Sequence, residues 1–395
     1  MSFLSSIASA FKGAEDTRVP LARGFISPWA AAMDYQGQPP FDYTRSVRQG
    51  FMENPVAQRA VRIVAEGVGS APFTPADTPL AALVQASSAG QKLVETLAAY
   101  MLLHGNGYVQ LLKDSSGNPV ELFALRPERV SVVAGDDGWP HAYQYRLANQ
   151  TITIPVEDEA GWPNIIHLRS FHPGDDDYGA GALGAAEQAI AIHNAASRWN
   201  RALLENAARP SGALVYDGGD GTSLTADQFE RLKDELTHAY SGHGNAGRPM
   251  VLEGGLSWQS MALSPADMDF ATLKAAASRD IALAFGVPPM LLGLPGDNTY
   301  ANYREASRAL WRLTLLPLAG KIFSGLSEGL SPWFSGPPLA VDLDRVPALS
   351  EDRERLWAQV NAAGFLSDSE KRDLLGIGRD TKTSARKING TNNEQ

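Results

Sequence analysis

Apolar residues recur along this chain in two patterns, and the switch between them divides it into parts. After Asn54 and Pro55, the residues Val56, Ala60, Ile63 and Val64 form a helical stripe, and Pro suits the first turn, where its missing N–H costs nothing. Leu93, Leu97 and Met101 repeat at four-residue spacing and predict a helix from Gly90 to His104, ended by Gly105. Between Tyr108 and Leu168 the pattern changes to five short β-like runs, YVQLL, RVSVV, YQYRL, TITI and NIIHL. Turn signals at Ser116-Gly117-Asn118-Pro119 and Asp136-Asp137-Gly138 separate them. The prediction is an antiparallel sheet with helices, an α+β fold.

The helical period returns from Gly184 to Ala208, where the chain is rich in alanine. Such a helix buries little area per residue and gains stability by packing beside neighbours. A small unit follows: a strand at 212–216 (GALVY), a helix opened by the capping box of Thr225 and Gln228, and a strand at 249–253 (PMVLE). A further helix starts at Ser264 and Pro265 and runs to Phe285, where Gly286-Val287-Pro288-Pro289 stops it. Beyond the loop from Gly293 to Asn298, a long helix spans Thr299 to Leu330, with a bend expected at Pro317. One strand (LAVDL) and two short helices close the pattern, the second with a capping box of Ser367 and Glu370. At the front, Phe3, Leu4, Ile7 and Phe11 share one helical face and read as a short docking helix, not a signal peptide. Residues 13–50 read as an extended arm, and the tail beyond Gly378 is too polar to pack.

Composition narrows the function. With 395 residues, 44% of them hydrophobic, the chain can bury a large core and divide into two or more parts. Lys and Arg number 34 against 44 Asp and Glu, a net charge of -10 that argues against gripping nucleic acid by neutralising phosphates. The absence of cysteine excludes disulfides and thiolate metal sites. No apolar run approaches the roughly 18 residues a membrane span requires.

Four motifs invite chemistry and fail on context. Gly179-Ala180-Gly181-Ala182-Leu183-Gly184 matches the dinucleotide fingerprint, but about ten loop residues separate it from Leu168, and the expected acidic residue, Glu205, falls inside the same helix. Gly325-Leu326-Ser327-Glu328-Gly329 matches a nucleophile elbow, yet the preceding segment is helical where a strand is needed. His167, His172 and Asp175-Asp176-Asp177 have ligand chemistry, but three aspartates in a Pro/Gly loop read as solvated turn residues. Gly320-Lys321 lacks the spacing and the hydroxyl residue of a phosphate-binding loop. No catalytic, metal or cofactor site emerges.

Taken in order, the segments at 54–73, 105–132, 165–190 and 285–318, with a weaker one at 352–377, resemble the phage portal protein family, in the branch of long-tailed siphoviruses and gene transfer agents. The resemblance covers roughly residues 50–378. It implies an α+β portal fold: an N-terminal arm (1–50), a wing (51–183), a first stem helix (184–210), a clip (211–260), a second stem helix (261–286), a tunnel loop and kinked helix (287–330), a return to the wing (331–349), a crown (350–378) and a disordered tail (379–395). It also implies a ring of roughly a dozen subunits in head-to-tail contact. Such a ring would sit at the portal vertex of a virion and be assembled in the host cytoplasm. Its partners would be the major capsid protein, the terminase large subunit during packaging, a head–tail adaptor and double-stranded DNA passing non-specifically, with no membrane and no cofactor.

Residue by residue, the resemblance places Asp297, Asn298, Thr299 and Tyr300 on the DNA-facing tunnel loop, Lys274 and Arg279 in the stem channel, and His243, Asn245 and Arg248 on the clip toward motor and adaptor. Lys274 and Arg279 read equally well as partners in ion pairs with a neighbouring subunit. Two competing readings are a nucleotide-dependent enzyme using the GAGALG turn and a structural adaptor without a channel. Cofactor binding and particle mass separate them.

Overall fold

The structure is a computed structural model and describes residues 42–205, 212–217, 225–240, 255–260, 270–294 and 299–376. The chain enters through a short helix α1 (Tyr43–Val47) and a π-helical turn (Arg48–Met52), so the extended arm expected through residue 50 gives way to helix at Tyr43. Arg45 and Ser46 tie this entry to Glu187, at 3.2 and 3.1 Å.

Helix α2 (Pro55–Gly69) begins where Asn54 caps it: the side-chain oxygen accepts from the backbone N–H groups of Val56 and Ala57, both at 3.0 Å. Such a cap is worth about 1 kcal/mol. Its buried face comprises Ala57, Ala60, Val61, Val64, Ala65 and Val68. Val56 and Ile63, which the sequence stripe included, are half-buried. After β1 (Phe73–Thr74), α3 (Pro79–Gln85) and a hairpin of β2 (Ser87–Ser88) and β3 (Gln91–Lys92), α4 spans Leu93–Leu103. That hairpin, turning on Gly90, takes the residues that periodicity assigned to the start of the helix.

The region of short β-like runs folds into antiparallel strands, as expected: β4 (Asn106–Lys113), β5 (Pro119–Leu125), β6 (Val130–Ala134), β7 (Pro140–Arg146), β8 (Thr151–Pro155) and β9 (Ile165–Arg169). They form two three-stranded sheets, ordered β5-β4-β9 and β6-β7-β8. Successive side chains on a strand face opposite ways. Val109 and Leu111 of β4 therefore join the main core of helices, while Tyr108 joins Leu125, Val130, Tyr143, Ile154 and Ile165 between the sheets. Strand β5 was not among the five predicted runs.

Helix α5 (Ala182–Glu205) packs along α7 (Phe270–Ala284), with Trp199 and Phe270 stacked at 5.6 Å. Strand β10 (Gly212–Tyr216) pairs with β11 (Leu256–Ser260), and α6 (Ala226–Tyr240) carries the expected capping box. There Gln228 Oε1 accepts from the Thr225 N–H at 3.0 Å, and Thr225 Oγ1 accepts from the Gln228 N–H at 3.4 Å. The strand predicted at 249–253 and the helix start at Ser264 lie outside the described residues.

Helix α8 (Tyr300–Leu310) continues through a second π-helical turn (Trp311–Leu315) into α9 (Leu316–Gly329). The irregularity expected at Pro317 thus sits in the turn before it. Proline has no N–H to donate, and its ring would press on the carbonyl one turn back; the wider turn, closed by the Leu316 N–H donating to the Trp311 carbonyl, opens that space. Strand β12 (Ala340–Val341) returns to pair with β1, and α10 (Ser350–Ala362) and α11 (Asp368–Leu375) end the described chain. The Ser367–Glu370 capping box is formed.

Candidate functional site

The helical pair α5/α7 leaves the α+β body at a junction built from three chain crossings. The first is the glycine turn. Asn106, fully buried at the start of β4, clasps Gly179: its Oδ1 accepts from the Gly179 N–H at 2.7 Å, and its Nδ2 donates to the Gly179 carbonyl at 3.2 Å. A Cβ on Gly181 would lie 2.7 Å from the Leu103 carbonyl oxygen, and one on Gly179 would strike the Gly105 carbonyl. The glycines of the GAGALG run therefore permit close backbone packing as the chain enters α5. No strand leads directly into them, as a dinucleotide fingerprint requires.

Asn106 also anchors two histidines. His167 Nε2 lies 3.0 Å from Asn106 Oδ1, and His104 Nδ1 lies 2.9 Å from Asn106 Nδ2. The carboxamide polarity makes His167 the donor and His104 the acceptor. Tyr108 stacks on His167 at 4.2 Å. Burial, with the charges of Arg169 and His104, lowers the His167 pKa to about 3 from 6.5; burial lowers that of His104 to about 4. Both rings are structural and neutral. His172 Nδ1 accepts from the Gly174 N–H, and Asp175 Oδ1 accepts from the N–H groups of Asp177 and Tyr178. The residues weighed as metal ligands are thus occupied in turns and in the Asn106 cluster. Among the described residues no group of three or more His, Cys, Asp or Glu could hold a metal ion.

The second crossing pins α5 to the start of α2. Asn54 Nδ2 meets His193 Nδ1 at 3.1 Å and donates to Asn194 Oδ1 at 2.9 Å, while Asn194 donates to the Gln49 carbonyl. Burial first, and the charge of Lys274 second, hold the His193 pKa below its ordinary value. The third crossing joins α7 to the π turn: Gly286, at φ +66°, ends α7, and Thr314 Oγ1 donates to its carbonyl at 2.6 Å. A Cβ on Gly286 would lie 2.6 Å from Thr314 Oγ1.

Of the residues singled out by sequence, Arg279 lies on the exposed side of α7 with Thr272, Ala276 and Leu283, whereas Lys274 is half-buried toward α5. Thr299 caps α8, its side chain accepting from the Asn302 N–H at 3.2 Å. Tyr300 is 80% exposed, with the Arg304 guanidinium 5.9 Å from its ring centroid. Asp297, Asn298, His243, Asn245 and Arg248 lie outside the described residues. Ser327 of the GLSEG run is buried inside α9, where its Oγ accepts from the Leu339 N–H at 2.9 Å, so it is no nucleophile.

Sequence reasoning missed an arginine ladder. Arg304 and Arg308 reach Glu351 at 2.6 and 2.9 Å, and Arg312 reaches Asp352 at 3.1 Å, fastening α10 to α8 and the π turn. The four-residue spacing of these arginines was the available signal.

An α+β body of two antiparallel sheets, a long helical pair rooted in it and a strand–helix–strand unit carried between the two helices of that pair define a portal-type subunit. Over 89% of its length the chain is similar to a chain, matched over 99% of its own length, from the neck of a native gene transfer agent particle computed with C12 symmetry, at 46% identity and a TM-score of 0.66. The crystal structure of an HK97-family phage portal protein from Corynebacterium diphtheriae shares the fold at 16% identity, with a TM-score of 0.56, covering 77% of this chain and 97% of that one. A protein of Rickettsia bellii is 39% identical over 344 residues, 83% of this chain and 87% of its own. The family model of the phage portal protein matches residues 55–376, and the chain belongs to that family. No helix among the described residues is long and apolar enough to cross a membrane.

Proposed function

We propose that this chain assembles as a ring of about twelve subunits at one vertex of a phage or gene-transfer-agent capsid, forming the channel through which double-stranded DNA is packaged and later ejected. The observation that carries this reading is the 46% identity to a chain from a particle neck of C12 symmetry. It is a structural subunit and not an enzyme. The GAGALG turn and Ser327, on which a cofactor or hydrolase reading would rest, are occupied in packing.

In this reading residues 51–183 form the wing, 184–210 and 261–286 the two stem helices, 211–260 the clip, 287–330 the tunnel loop and interrupted helix, 331–349 the return to the wing and 350–378 the crown. The clip, through His243, Asn245 and Arg248, meets the terminase large subunit during packaging and the head–tail adaptor afterwards, while the wing faces the major capsid protein. A sliding duplex must not be pinned. Each phosphate neutralised steepens the salt dependence of binding by about 0.9 in the log–log slope, so an acidic chain at net charge -10 with sparse channel cations such as Arg279 suits low friction. In the same reading, Asp297, Asn298, Thr299 and Tyr300 would lie at or near the narrowest point of the channel.

A photo-crosslinker at position 298 tests the arrangement in packaged particles. Strong crosslinks to DNA are expected from it, and crosslinks from the clip alone would overturn the loop assignment.

A further inference from the structure

Helices α2 and α4 leave between them an open groove of about 740 Å³ whose walls are Phe51, Val61 and Ala65 on one side and Ala99 on the other, with Arg62 and Glu95 at the rim. Its lining runs from Gln58 to Glu66 on α2 and from Lys92, the cap of α4, to Tyr100, a span of nine residues on each wall. At 1.5 Å per residue each wall is about 12 Å long. The lining mixes apolar side chains with polar and charged ones, a surface that can receive an amphipathic helix.

The sequence predicts such a helix, outside the described residues, over residues 3–11. The segment 3–11 is also nine residues long and places Phe3, Leu4, Ile7 and Phe11 on one face by spacing. The described chain begins at Asp42, and the next residue, Tyr43, stacks edge-on with His104 at 4.8 Å. His104 lies one turn beyond Tyr100 on α4, so the preceding segment enters beside the Tyr100 end of the groove. The thirty residues from Lys12 to Phe41 can span up to about 100 Å, ample for the helix to fold back.

We propose that the N-terminal segment docks its apolar face into the α2–α4 groove of its own subunit, making a three-helix layer with α2 and α4. The absence of cysteine makes a single introduced thiol a clean reporter. In the full chain, Thr96→Cys on one wall, and Gln58→Cys on the other as a second reporter, are labelled with a maleimide. This is done with the native N-terminus and with Phe3→Ser, Leu4→Ser, Ile7→Ser and Phe11→Ser combined. Docking predicts labelling at least tenfold slower with the native N-terminus. Equal fast rates would mean an empty groove, and equal slow rates a different occupant; either overturns the proposal. With Ile7→Cys added to Thr96→Cys, mild oxidation should give a crosslinked product of single-subunit mass. A ladder of crosslinked multimers would assign the groove to a neighbour's segment and overturn docking within one subunit.

Discussion

Replacing Asn106 with alanine removes the side chain that joins β4, the glycine turn into α5 and the half-buried His104 and His167. Four polar groups lose their partner: the N–H and carbonyl of Gly179, His167 Nε2 and His104 Nδ1. The site is buried, with Asn106 at 0% exposure, so the Gly179 N–H and the His167 ring N–H are left without acceptors. Each orphaned donor costs about 1 to 3 kcal/mol. The predicted destabilisation is about 4 kcal/mol, a large share of the roughly 5 to 15 kcal/mol that holds a domain folded. Urea unfolding followed by tryptophan fluorescence measures it: at a denaturant slope near 3 kcal/mol/M the midpoint should fall by about 1 M or more with the slope unchanged. A loss below about 1 kcal/mol would refute the reasoning, because it would mean that the turn into α5 is held by backbone packing alone.

Three further perturbations test separate parts of the account. Gly286→Ala must place a Cβ at φ +66° and 2.6 Å from Thr314 Oγ1, and should cost about 2 kcal/mol in the same assay; a neutral outcome would deny the tight join between α7 and the π turn. Folded His104 and His167 titrate at about 4 and about 3, below the ordinary 6.5, so below pH 6.5 the unfolded chain takes up protons first and stability falls. The loss should be about 2 kcal/mol per ring by pH 5, levelling off below about pH 3, and His167→Gln should flatten the slope where an unchanged slope would count against it. Arg308→Ala cuts the middle of the arginine ladder, and hydrogen exchange should quicken in α10 but not in β4 or β9; uniform protection would show that α10 is held by its apolar contacts.

Much of the α+β body could be read from the sequence because its signals are local. Asn54 before Pro55, the four-residue spacing of Leu93, Leu97 and Met101, the short β-like runs of β4, β6, β7, β8 and β9 between turn signals, and the Ser367–Glu370 box each act within one element. Strand β5 escaped because it starts at Pro119, inside the Ser116–Pro119 turn signal, and its buried leucines, Leu122 and Leu125, stand three residues apart, a spacing that suits a helix as well as a strand. The π turn before Pro317 escaped because proline announces a break but not how the preceding turn relieves it. The junction escaped for another reason: Asn106 and Gly179 are 73 residues apart, and no local pattern joins them. His167, legible as a possible ligand, became a packed ring once its distant partners were known. The roles proposed for Lys274, Arg279, Thr299 and Tyr300 come through family resemblance, because no local pattern marks a channel-facing residue.

Native mass spectrometry of the purified full chain, paired with electron microscopy of the same sample, tests the central claim most directly. The account predicts a species of about twelve 42.3 kDa subunits, imaged as a ring with a central opening wide enough for duplex DNA. A chain that stays monomeric at high concentration, and stays so when co-expressed with its capsid protein, would contradict it.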